Sequence, residues 1–267
     1  MSSLEGLRAD FAQDGVVLLK GALDQAALAE AQAAYDWSLA HPGPLASKVT
    51  QTTDALFYND LLNPASLDAY APMLRNSPLP AIISEIWGCP DVWFMYEQVF
   101  LKEGGEARRT PWHQDTSYLS IAGDHLAVAW ISFDPALAAD SLEFVCGSHR
   151  GQLYNGSRFT LGDDTAPLYQ GDTMPQLPDI EKTRDQWDIR SWAVDPGDVI
   201  VFHPSLLHGG APTHAGSRRR TLTLRFFGND ARYEARPAPA GPGGRAFHER
   251  KAHGDPLHDP DFLQLLP

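Results

Sequence analysis

His113-Gln114-Asp115 sets an imidazole and a carboxylate two residues apart. On a strand, residues i and i+2 point to the same side, so both groups can reach one ion while Gln114 faces away. A distant histidine must complete the set. Two nitrogens and one carboxylate on one face of an octahedron leave three positions open, the arrangement of oxygen-activating non-haem iron(II) sites. A chelating cosubstrate takes two of those positions and O2 the third. The tripeptide alone is weak evidence, because His253-Gly254-Asp255 repeats the pattern in a loose-textured tail, where we read it as solvent-facing.

Three histidines compete for the third position: His203, His208 and His214. His208 follows an apolar strand-like run at 199–202 and precedes Gly209-Gly210, which lets backbone approach a ligand closely. Beyond it lies Arg218-Arg219-Arg220, entering a strand-like run at 221–227. An arginine at the start of a buried strand needs an anionic partner. A dicarboxylate cosubstrate supplies one through a bidentate, charge-assisted pair; a solvated turn is the bland alternative.

The elements that must position these groups divide into two textures. Residues 1–88 read as largely helical. Ser2 and Glu5 have capping-box spacing, Gly15 ends the first helix, and 16–19 is a buried strand. Asp24 caps a second helix ending near His41, with Leu28, Ala31, Tyr35 and Leu39 on its core face. Two further helices over 65–88 break around Asn76-Ser77-Pro78. After Gly88 come short β-like runs at 92–102, 126–133, 142–145, 189–194, 199–202 and 221–227, with an Asp195-Pro196-Gly197-Asp198 turn between two of them. Many short strands with Gly/Pro turns predict a sandwich or barrel, at about 89–230, with the helices packed outside. Residues 147–188 are polar and turn-rich, a lid-like insert, and 231–267 form a Pro/Gly/His-rich tail that is loosely ordered or docks on the domain or on a partner subunit. The expectation is one domain over 1–267.

Composition narrows the partners. Of 267 residues, 43% are hydrophobic, enough for a sizeable core, and the formal charge of −13 disfavours a nucleic-acid binder. The first residues have no basic or apolar leader pattern and no run is long enough to span a membrane, so a cytoplasmic location is expected. The only cysteines, Cys89 and Cys146, are in no metal-binding spacing. A small-molecule substrate fits best, for a monomer or homodimer.

The chain resembles the phytanoyl-CoA dioxygenase family of Fe(II)/2-oxoglutarate oxygenases over most of its length. The resemblance rests on Phe11-x-x-Asp14-Gly15, Gln98 through Lys102, Thr110-Pro111-Trp112-His113-Gln114-Asp115, Leu142-Glu143-Phe144, Gly147-Ser148-His149-Arg150, Pro196-Gly197-Asp198 and His208-Gly209. It implies a mainly β fold with flanking helices, a double-stranded β-helix (jelly-roll, cupin-like) barrel. It also implies Fe(II) on His113, Asp115 and His208, with 2-oxoglutarate and O2 as cosubstrates. Arg219, eleven residues beyond His208, stands at the family's spacing for the arginine on the far carboxylate. Thr110, Gln98, Lys102 and Trp130 are implied to line the cosubstrate pocket, with Arg218 and Arg220 as fallback anchors and His149 as a structural turn residue. Gly210 replaces the hydroxyl residue that many members carry there, which shifts the load to Arg219 and Thr221. The presence of Asp115 argues against halogenation. The activity implied is hydroxylation of an unactivated C–H of a small metabolite, phytanoyl-CoA itself being disfavoured by the acidic charge. The alternatives are desaturation or cyclisation at the same site, or a non-catalytic metal-binding barrel acting as sensor or binding module. A zinc hydrolase lacks its base-bearing motif. Phe57, Tyr58 and Tyr118 are candidate substrate-pocket residues.

Overall fold

The computed structural model describes residues 4–52, 55–103, 109–160, 163–171, 174–214, 216–237, 241 and 244–267. The expected cap at Ser2 lies outside them. In chain order the elements are α1 (Leu4–Asp14), β1 (Val16–Leu19), α2 (Gln25–Ala40), β2 (Ser47–Thr52), β3 (Ala55–Leu61), α3 (Ser66–Asn76), α4 (Leu79–Trp87), β4 (Val92–Glu103) and β5 (Thr110–His113). They continue with β6 (Ile121–Ala122), β7 (Leu126–Ser132), β8 (Leu142–Val145), β9 (Ile189–Arg190), β10 (Val199–Phe202), β11 (His208–Gly210), β12 (Arg218–Phe227), β13 (Arg232–Tyr233), α5 (Gly244–Arg250) and β14 (Leu263–Leu266).

The helices begin and end where local chemistry dictates. Asp24 accepts the Ala27 N–H at 2.9 Å to cap α2, and α4 stops at Gly88, whose φ is +68°. The Asp195–Asp198 turn is pinned by the Asp198 carboxylate, which accepts from the Asp195 and Gly21 N–H groups and from the Lys20 ammonium. That contact fastens the turn to the end of β1.

A major sheet runs β1-β10-β7-β12-β4-β3-β2, with β14 also on β4; a four-stranded sheet runs β5-β11-β8-β9, and β13 pairs with β6. The two larger sheets pack face to face in a jelly-roll arrangement. Strand alternation gives the major sheet two chemically different faces. On one, Ala127, Ala129, Ile131, Val199, Val201, Leu222, Leu224 and Phe226 pack against Tyr35, Tyr70, Leu74 and Ile83 of the helices. On the other, Val128, Trp130, Ile200 and Phe202 meet Leu142 and Phe144 of the smaller sheet.

Two readings of the sequence change here. The stretch before residue 88 is not only helical beyond β1: the β2–β3 hairpin adds to the β4 edge of the major sheet. The 189–194 run is a strand only at Ile189–Arg190, with an isolated bridge at Val194. The tail docks: Phe247, Leu257 and Phe262 are buried beside Met95, Tyr96 and Phe227, and β14 pairs with the start of β4. Among the described residues no helix is long and apolar enough to cross a membrane.

Candidate metal and cosubstrate site

Antiparallel pairing of β5 with β11 sets His208 directly opposite His113, with ring centroids 4.2 Å apart. The close approach depends on Gly209, where a Cβ would stand 2.8 Å from the Thr110 carbonyl oxygen. Each ring is fixed through Nδ1, which lies 2.8 Å from a carbonyl oxygen two residues earlier, that of Pro111 for His113 and of Leu206 for His208. A carbonyl only accepts, so Nδ1 carries the proton and Nε2 presents a lone pair. The two Nε2 atoms lie 3.5 and 3.8 Å from Asp115 Oδ1. All three donor atoms are within 4.8 Å of one another, and all three residues are buried. Lone pairs of two imidazoles and a carboxylate converging at this spacing fit one divalent cation, and the donor set is that of iron(II) rather than of a thiolate-rich zinc site.

Asp115 opens a short 3-10 turn just after β5. Gln114 points away, as the alternation predicts: its amide donates to the Gln152 and Ser205 carbonyls and accepts the Tyr154 N–H. A residue the sequence reading missed controls the other oxygen of Asp115. Arg225 of β12 donates to Asp115 Oδ2 from Nη2 at 2.9 Å and from Nε at 3.2 Å. The same guanidinium donates to Gln98 Oε1 at 2.9 Å and lies 4.6 Å over the Tyr96 ring, and Gln98 in turn donates to Asn59 Oδ1 at 2.9 Å. Oδ2 is thus held by arginine and Oδ1 is left to the metal position. Burial pushes the Asp115 carboxyl up, but Arg225, followed by His113 and His208, outweighs it and holds the group well below the usual carboxylate range. Burial, and then His113, pushes His208 down to about 3, so it is neutral and able to ligate.

Farther along the inner face of the major sheet, Arg219 of β12 and Lys102 of β4 are direct cross-strand partners, 5% and 7% exposed. Both donate to the Ala211 carbonyl, and Arg219 also donates to that of Asp140. Burial lowers Arg219 to about 10, with Asp140 acting in the opposite direction. Two buried cations converging on one carbonyl oxygen make a pocket of positive charge suited to a carboxylate.

The remaining expected residues separate clearly. Thr110 sits half-buried at the start of β5, opposite Gly210. Trp130 faces inward across from Thr223 and packs among Val128, Leu142, Phe144, Ile200 and Phe202. Arg220 and Arg218 lie on the other face from Arg219 and pair with Asp134 at 2.8 and 3.5 Å, so the fallback anchors are already engaged outside the pocket. Phe57 faces inward, stacked on Phe100 at 6.3 Å with Lys102 over its ring. Tyr58, one residue on, packs against the helix-side core, which corrects its assignment to the pocket. His203 bonds Gly123 and Ser205, His214 is exposed against Asp140, and His253 lies at the surface beside Glu234.

The 147–188 segment forms a wall next to the ligands. Its near foot is Ser148, whose hydroxyl accepts the Leu207 N–H at 2.9 Å. Its far foot is the turn 180–186, where Glu181 accepts from Trp112 Nε1 at 2.6 Å and pairs with Arg109. Arg184 there binds Glu143 at 2.5 Å. Between the feet, Tyr154, Ser157 and Tyr169 bond the 117–118 turn.

Comparison with known proteins agrees with this geometry. Residues 11–221 match the phytanoyl-CoA dioxygenase (PhyH) family. The human peroxisomal phytanoyl-CoA dioxygenase is 23% identical over 168 residues, 60% of this chain and 47% of that protein. The chain spans less than half the length of the curated relatives it matches. Among solved structures, the non-heme alpha ketoglutarate dependent epimerase SnoN from nogalamycin biosynthesis superposes with a TM-score of 0.72 at 19% identity, covering 99% of this chain and 96% of that one. The carbocyclase SnoK from the same biosynthesis gives 0.69 at 17% identity, covering 99% and 98%. Together, the matched family and the His113/Asp115/His208 cluster mean that this chain belongs to the phytanoyl-CoA dioxygenase family of Fe(II)/2-oxoglutarate-dependent oxygenases.

Proposed function

We propose that the protein hydroxylates an unactivated C–H of a small molecule, using iron(II), 2-oxoglutarate and O2 and releasing succinate and CO2. The observation that carries this reading is the pairing of two features on one inner surface: three convergent, buried donor atoms and a buried Arg219/Lys102 cation pair. When bound, iron would activate O2, with 2-oxoglutarate supplying two of the four electrons that reduce it, as it goes to succinate and CO2, and the substrate C–H the other two. His113 and His208 would hold the metal through Nε2 and Asp115 through Oδ1. Arg225 fixes Asp115 by its second oxygen and discourages it from closing a second coordination position. Arg219 and Lys102 would take the far carboxylate of the cosubstrate, with Thr110 and Gln98 at the edge of the same lining. The packed wall over the 115–118 turn keeps bulk water from the reacting centre.

A second outcome has a specific motive. The similar structures named above include an epimerase and a carbocyclase, so hydrogen removal followed by inversion or ring closure stands beside hydroxylation, and product analysis separates them. The test of the common core is succinate release from 2-oxoglutarate by anaerobically iron-loaded protein once oxygen is admitted. Succinate that needs Fe(II) and disappears in His113→Ala and Arg219→Ala is the expected result. Wild-type rates in either variant, or neither succinate nor a metal-to-2-oxoglutarate charge-transfer band in the parent, would sink the reading in favour of a binding module.

A further inference from the structure

Among the described residues only three large hydrophobic side chains are exposed: Leu45, Leu137 and Phe159. Phe159 differs from the others in where it is and how it is held. It lies in the wall segment with φ +55°, a left-handed conformation that a bulky side chain adopts only under constraint. The constraint is visible. Its N–H donates to Ser157 Oγ at 2.9 Å, and the Ser157 carbonyl accepts the Tyr118 hydroxyl at 2.5 Å. The ring that results stacks on Tyr118, with centroids 5.8 Å apart and planes 19° from parallel. Both rings also meet the metal-site imidazole of His113 edge-on, Phe159 at 5.3 Å and Tyr118 at 6.0 Å.

A strained backbone here holds a 40% exposed phenyl ring beside His113, with its outer surface open to a ligand. Burying the ring would stabilise the chain, and a glycine would relieve the strain. Strain of this kind collects at binding sites, where it fixes a group in the orientation a ligand needs. The inner face of the major sheet adds a second stacked pair, Phe57 on Phe100, both half-buried. Flat apolar surfaces of this type recognise flat or cyclic hydrocarbon surfaces, which stack on them without demanding directional hydrogen bonds.

We propose that Phe159, backed by Tyr118, is a specificity-determining residue that stacks on a planar ring of the substrate, so that the substrate class is a molecule with an aromatic or fused-ring skeleton rather than a linear acyl chain. The inference rests on the oxygenase reading and names the substrate class of that same site.

The test uses the holoprotein, loaded with Fe(II) and 2-oxoglutarate under anaerobic conditions, and 2-naphthol as probe, with decahydro-2-naphthol as its saturated counterpart. Calorimetric titration should give about tenfold tighter binding of the aromatic probe than of the saturated one. That preference should vanish in Phe159→Ala and in Phe159→Gly and be partly kept in Phe159→Leu. The melting temperature separates recognition from structure: Phe159→Gly should melt at or above the parent. Absent binding of 2-naphthol by the parent, equal binding by parent and Phe159→Gly, or a melting temperature lowered by several degrees in Phe159→Gly would each overturn the proposal. Succinate release dependent on Arg219, measured without any probe, tests the oxygenase reading separately, so the failure of one is told from the failure of the other.

Discussion

Two pairs of histidines lie close together in this fold, and they differ in what meets their nitrogens. His113 and His208 stand 4.2 Å apart, and His149 and His203 stand 5.4 Å apart. In the first pair each Nδ1 is committed to a carbonyl, and each Nε2 faces Asp115. In the second, His203 uses both nitrogens within the fold: Nε2–H donates to Gly123 and Nδ1 accepts the Ser205 N–H, both at 3.1 Å. His149 is packed so tightly on Gly15 that a Cβ there would stand 2.4 Å from its Nδ1. Proximity is common to both pairs, and of the four rings His149 alone is only partly buried. Only the first leaves lone pairs converging with a carboxylate, and that remainder is what could hold a metal ion.

The largest expected difference between the pairs is in metal binding. His208→Ala should lose specific Fe(II) binding and succinate release altogether, whereas His203→Gln should keep both; anaerobic titration with a chromophoric chelator measures each. Retained binding in His208→Ala would erase the distinction. Next in size is a pH effect read at the second pair, away from the candidate metal ligands. Burial, and then His149, pushes His203 down to about 4 from 6.5. Between those values the unfolded chain takes up a proton that the folded chain refuses, so stability is complete above pH 6.5 and declines as pH falls toward 4. The loss amounts to ~3 kcal/mol for this one group, and His203→Gln should remove that share from urea unfolding midpoints compared at pH 7 and pH 4. The smallest effect sharpens the first pair: Arg225→Gln frees Asp115 Oδ2, and metal affinity should fall by roughly 10–100-fold, the usual effect of losing a group that orients a ligand.

The histidine comparison also marks how much the sequence disclosed. Strand alternation was enough to group His113 with Asp115 and turn Gln114 away, because it depends only on local geometry. Choosing His208 over His203 needed the glycine pair after it, since both histidines flank the same apolar strand. Resemblance singled out Arg219 for the far carboxylate, and the structure buries it beside Lys102 while setting its neighbours Arg218 and Arg220 on Asp134. Arg225 was not read, although the signal was present: it interrupts the apolar run Thr221-Leu222-Thr223-Leu224-Arg225-Phe226-Phe227, and a charge in such a run needs a partner. Its partner is Asp115, 110 residues away, and a contact of that separation leaves no trace in local pattern. The β2–β3 hairpin was missed for a similar reason: it is stabilised by the edge of β4 rather than by its own sequence.

The two feet of the wall segment have a consequence for how the protein can change. One foot bonds Leu207, the residue before His208, and the other bonds Trp112, the residue before His113. The two anchors that hold the wall therefore also brace the two strands that carry the ligands. Between the anchors, Tyr154, Ser157 and Tyr169 add a third tie to the turn that follows Asp115, so an edit that keeps these residues and both anchors leaves the supports of the triad in place. Variation at the other positions of the segment is thereby channelled away from the triad, and a library randomised only there should keep Fe(II) binding.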